Sequence, residues 1–198
     1  RNLVRVCWRL GDGLMPLGAA KAAFLGAAGT VAAAGDFEWI ASTTFDGSTS
    51  THTFSAIPQT FNSLKIVFYC KASTPAFWAW TRINGETGSN YEMVEMFTNT
   101  GTFYSGELSE AMFVLGSAPT ANYAFVHEFE FDGYTNTSMF SPMFQMAGSL
   151  DGGSRQFEAS EGNYQSGTAA ITSVQVFDTS GDDPAAGSTL ALFGFKDA

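Results

Sequence analysis

The chain has 198 residues, a formal net charge of −10 and only 14% charged residues, with 19 Phe and 21 Gly. Few charges beside many Phe, Gly, Ser and Thr exclude bulk disorder and describe an all-β protein of many short strands and turns. The acidic balance excludes counter-ion-driven nucleic-acid binding by the body of the protein.

The charge is uneven along the chain. Residues 1–21 carry four bases against one acid, a balance of +3, whereas residues 22–198 carry five bases against 18 acids, a balance of −13. Residues 14–35 are rich in Ala and Gly. Gly18, Gly26 and Gly29 each cost a helix roughly 1 kcal/mol against Ala. Residues 1–35 therefore read as an arm that gains order by docking, on a neighbouring subunit above all. Its candidate assembly contacts are Arg1, Arg5 and Arg9, which can meet carboxylates, and Leu14, Leu17, Phe24 and Leu25, which can fill an apolar groove. Arg5 and Arg9 break the apolar run that a secretion signal would need. Met15-Pro16 reads as an alternative start. No run of 18 apolar residues occurs, so no transmembrane helix is predicted.

From Asp36 the apolar period changes to two, and residues 36–198 read as one domain. Strands are predicted at 37–41, 52–54, 64–70, 77–83, 91–97, 111–115, 123–131, 139–147, 155–159, 171–177 and 188–195. Along 64–70, Leu64, Ile66, Phe68 and Cys70 share one face. Asn84-Gly85 is a strong turn signal, because a type I′ turn needs positive φ at both central positions. It makes 91–97 the expected return strand of a hairpin. Along 123–131, Phe125, His127, Phe129 and Phe131 alternate with a mostly acidic face. Pro142 predicts an edge or a bulge within 139–147. The set predicts an antiparallel β-sandwich, most simply a jelly roll, behind the Ala/Gly-rich arm.

Chemistry-bearing residues are sparse. Cys7 and Cys70 are too few for a disulfide scaffold, and no Cys/His spacing suits zinc. His52 and His127, the only histidines, lie in no nucleophile motif. Glu128 with Glu130, and Glu92 with Glu95, are close in sequence but read as exposed-face acids rather than a glycosidase pair. Asp178, Asp182 and Asp183 fall in one Gly-containing loop, an exposed turn with some character of a calcium site. Trp78 and Trp80 alternate onto one strand face, where they serve the core or form a glycan platform. No catalytic residue and no cofactor is predicted.

Three segments carry a resemblance. They are Ile57-Pro58-Gln59-Thr60-Phe61 followed by Leu64 and Ile66, the run 82–91 (RINGETGSNY), and Thr168–Val174 (TAAITSV) with the closing Gly187-Ser188-Thr189-Leu190 and Leu192-Phe193-Gly194-Phe195. In this order and spacing they resemble a family of tailed-bacteriophage virion structural proteins, over roughly residues 37–198. The resemblance implies a non-enzymatic protein of the virion surface: a capsid decoration or head-fibre subunit, or a tail fibre or baseplate component. It implies a homo-oligomer, most simply a trimer, that contacts other virion proteins, with no nucleic-acid or membrane partner. The alternative is a lectin-like module in which Trp78 and Trp80 bind host-surface glycan.

Overall fold

A computed structural model describes residues 37–71, 78–99, 102–110, 113–117, 124–151, 154–165, 167–178 and 181–196. The arm contacts Arg1, Arg5, Arg9, Leu14, Leu17, Phe24 and Leu25, and Cys7, lie outside the described residues.

Among the described residues twelve strands form two sheets. The first runs β1 (Phe37–Thr44), β12 (Thr189–Phe195), β3 (Ser63–Lys71), β8 (Ala124–Asp132), β9 (Ser141–Asp151), β10 (Ser154–Tyr164), β5 (Tyr91–Asn99) and β6 (Thr102–Glu110), in that spatial order. The second runs β2 (Thr51–Phe54), β11 (Val174–Phe177), β4 (Trp78–Ile83) and β7 (Phe113–Ser117). Every pairing is antiparallel. The expectation of an all-β, antiparallel protein is met, and no helix occurs among the described residues.

The period-two pattern explains the core. Leu64, Ile66, Phe68 and Cys70 on β3, with Phe125, Phe129 and Phe131 on β8, point to one side and are fully buried. Leu190 and Leu192 of β12 join them, as do Phe54, Ile83, Val174 and Val176 of the second sheet, in a single buried cluster. Each large side chain buried this way contributes about 1.5–3 kcal/mol.

The Asn84-Gly85 turn forms as expected: φ is 53° and 71°, and the Glu86 N–H donates to the Ile83 carbonyl at 3.0 Å. The hairpin it was expected to close does not form. β4 pairs with β11 and β7, whereas β5 pairs with β10 and β6 in the other sheet. The turn therefore hands the chain from one sheet to the other. β6 was not foreseen, because TFYSGELSE has no sustained apolar alternation; it is an edge strand held by its ladder to β5. The edge expected from Pro142 is also absent, since β9 lies between β8 and β10. The expected alternative, a bulge, is absent too: Pro142 pairs with Asn163 in an unbroken β9–β10 register, and the β8 ladder stops one residue short of it, at Phe131–Met143.

The three segments that carry the resemblance meet in space. The Ile57 N–H donates to the Thr172 carbonyl at 3.0 Å, and Gln59 Nε2 donates to the carbonyl of Ile171 at 2.9 Å. Asn84 Nδ2 donates to the Ala170 carbonyl, while its Oδ1 accepts from the N–H groups of Thr172 at 2.8 Å and Ser173 at 3.1 Å. Tyr91 Oη accepts from the Ile83 N–H at 3.0 Å, and Tyr134 Oη donates to the Pro58 carbonyl. The Phe61 ring lies on Gly194, where any Cβ would collide with it. These residues staple distant loops, which is a structural duty.

Candidate functional site

Two features stand out on the large sheet, one on each face. On the face turned away from the buried cluster, the register lines up side chains across the strands. One row runs Lys65, Glu130, Phe144, Glu161 and Val94. The next runs Val67, Glu128, Met146, Ala159 and Met96. Phe144, Met146, Phe157, Val94 and Met96 are each about half exposed, and at the β1 edge Trp39 is 63% exposed beside Phe37. The Phe37 ring stacks on Phe193 at 4.6 Å. So many large apolar side chains on one sheet face exceed the scattered apolar exposure of an ordinary monomer surface. Acids interleave with them. Glu128 pairs with Lys65 at 2.7 Å. Burial raises the Glu130 carboxyl above the usual carboxylate range; Asp132 and Glu128 add to the shift, and Lys65 opposes it.

The opposite face of β9, β10 and β5 carries a group of polar side chains. The register sets Gln145, Ser160 and Glu95 side by side, with Glu158 two residues before Ser160 on β10. Gln145 is fully buried, and its Nε2 donates to Glu158 Oε1 at 2.9 Å. Burial pushes the Glu158 carboxyl up to about 7, with the Glu95 charge adding to the shift and the Gln145 bond opposing it. Burial also raises Glu95. Gln145 Oε1 and Ser160 Oγ are buried and have no hydrogen-bond partner among the described residues; His127 Nδ1, nearby on β8, has none either. Burial pushes His127 down to about 3.

The candidate residues distribute as follows. Glu92 and Glu95 fall on opposite faces of β5, so the pair near in sequence is split, and Glu95 lies on the same face as Glu158, whose carboxyl its charge raises. Glu158 escaped sequence reasoning because RQFEA shows nothing about what lies across the strand. The alternation points the other way: it puts Phe157 and Ala159 on the apolar side, whereas the structure turns Phe157 outward and Glu158 inward. Trp80 packs against the buried cluster with its indole N–H buried, while the Trp78 side chain lies outside the described residues. The β4–β7 register slips between Trp78 and Trp80. Asp178 is buried, not exposed, and its Oδ1 accepts from the Gly181 N–H at 3.1 Å. Asp182 and Asp183 are half-buried. Among the described residues no three His, Cys, Asp or Glu side chains converge. His52 is half-buried and edge-on to Phe54 at 4.8 Å. It lines a pocket of about 270 Å³ between β1 and β2, with Ile40, Ser42 and Leu192. Burial pushes the Cys70 thiol up to about 12, which makes it inert near neutral pH.

Comparison with protein-family models, curated proteins and solved structures finds no match for this chain.

Proposed function

We propose that this chain is a non-enzymatic structural protein of a phage virion, displayed on the particle surface as a homo-oligomer, most simply a trimer. The single observation that carries the assembly reading is the apolar outer face of the large sheet, with half-exposed Phe144, Met146, Phe157, Val94 and Met96. Its proposed occupant is a neighbouring copy of the chain, led by that copy's N-terminal arm. Two facts favour this occupant. Residues 1–36 directly precede the edge strand β1 in the chain, and the surplus of Arg among them complements the rows holding Glu128, Glu130 and Glu161. Burial of the apolar groups supplies most of the energy, since an exposed ion pair contributes only about 0–1 kcal/mol.

A jelly-roll reading is supported by the strand order. β1-β12-β3-β8 against β2-β11-β4-β7 is the interleaving that two nested Greek keys produce. The hairpins β5–β6 and β9–β10 are then insertions that widen one sheet. The virion context rests on the resemblance of 57–61, 82–91 and 168–195, whose residues act here as structural staples.

The test is sedimentation of the full chain beside a Phe144→Glu/Met146→Glu variant. The expected result is an oligomer for the first and a folded monomer for the second. A wild-type monomer at micromolar concentration would overturn the assembly reading. Antibody labelling of phage particles should decorate the virion surface, and unlabelled particles would overturn the context.

A further inference from the structure

We propose that Glu95, Glu158, Gln145 and Ser160, on the inward face of β5, β9 and β10, form a binding site for one hard divalent cation of the calcium class. The proposal is independent of the assembly reading. It starts from the placement of charge. Ser160 lies directly between Gln145 and Glu95 across three strands, and Glu158 precedes it by two residues on the same face. Two carboxylates on neighbouring strands of a largely covered face repel each other, and no lysine or arginine is paired with either among the described residues. A divalent cation cancels both charges at once.

The second observation is the pair of orphan oxygens. Gln145 is 0% exposed and Ser160 is 3% exposed, yet Gln145 Oε1 and Ser160 Oγ meet no donor among the described residues. Leaving a buried acceptor unmade is costly, so such an atom calls for an explanation such as an ion. The Gln145 amide is fixed in the cluster by its Nε2 bond to Glu158 at 2.9 Å. The donors in this set are carboxylate, amide and hydroxyl oxygens. That set suits calcium or magnesium, and it lacks the nitrogen and sulfur ligands that zinc favours. Calcium fits better than magnesium, because strand-mounted side chains cannot easily meet a strict octahedron.

Isothermal titration of the chelator-treated full chain with calcium chloride at neutral pH tests the site. The expected result is one calcium per chain with a dissociation constant in the range of about 10⁻⁵–10⁻³ M. Glu158→Gln and Gln145→Leu should each weaken binding at least tenfold, and Asp182→Asn should leave it unchanged. No binding by the folded chain up to about 10 mM calcium overturns the proposal, since even weak extracellular modules saturate there. Binding that survives Glu158→Gln but is lost in Asp182→Asn also overturns it, by moving the ion to the 178–183 loop. Circular dichroism checks each variant. If Glu158→Gln or Gln145→Leu does not fold, the half-buried Glu95→Gln takes its place with the same tenfold loss expected, and undiminished binding by that variant overturns the site.

Discussion

Asn84 shows how much a single side chain can hold together. It adopts positive φ, which costs most residues energy but which Asn tolerates, and its amide fastens Ala170, Thr172 and Ser173. Asn84→Ala keeps the strain and removes the bonds. A loss of about 2–3 kcal/mol is expected from a urea denaturation series, since two backbone donors and one acceptor lose their partner. Gly194 is constrained from outside: the Phe61 ring occupies the space of a Cβ. Gly194→Ala should destabilise by about 1–3 kcal/mol through overpacking, and Gly194→Ala/Phe61→Leu should recover part of it. His127 faces Phe68 on β3 and Ala147 on β9, with the Phe125 ring at 4.5 Å, so burial keeps it neutral. The unfolded chain takes up a proton on this histidine as pH falls through about 6.5, whereas the folded chain resists until about 3. His127 thus contributes nothing adverse above 6.5 and costs stability as pH falls through that window. The expected extra loss between pH 7.5 and 4.5 is about 3 kcal/mol, and His127→Gln should remove it.

At the scale of elements, the ladder decides what local propensity could not. Among the described residues β6 pairs with β5 alone, and it carries no apolar alternation, so its backbone protection depends on one described neighbour. Hydrogen exchange should therefore open β6 first among the strands of the large sheet, and β3 and β8, flanked on both sides and packed in the cluster, last. Protection of β6 equal to that of β3 would mean that its free edge is covered in the assembled protein. The same reasoning explains the split of β4 from β5. A local turn can set the reversal at Asn84-Gly85, but which strand receives the returning chain depends on which face is left unpaired elsewhere.

For the whole molecule, the decisive quantity is the apolar surface left outside the core. Nineteen Phe exceed what one cluster holds: Phe45, Phe54, Phe61, Phe68, Phe125, Phe129, Phe131 and Phe177 are buried, while Phe37, Phe140, Phe144 and Phe157 remain exposed. Removing residues 1–35 should leave the β-fold intact by circular dichroism and weaken assembly. High salt should weaken assembly only modestly, because burial outweighs exposed ion pairs. Full dissociation by salt alone would assign the arm's role to charge.

The sequence by itself determined the strand class, the buried face of β3 and β8, the φ signs at Asn84-Gly85 and the excess of apolar surface. Each follows from period-two patterning, turn chemistry or composition, which act over a few residues. Only the tertiary structure decided that β5 joins β10, that Pro142 sits in an interior strand, and that Glu95 shares a face with Glu158 rather than with Glu92. Those outcomes depend on strand order and on register between separate strands, which for β5 and β10 join segments more than 50 residues apart. Alternation tells which side a residue faces, but what waits on that side is set by the partner strand.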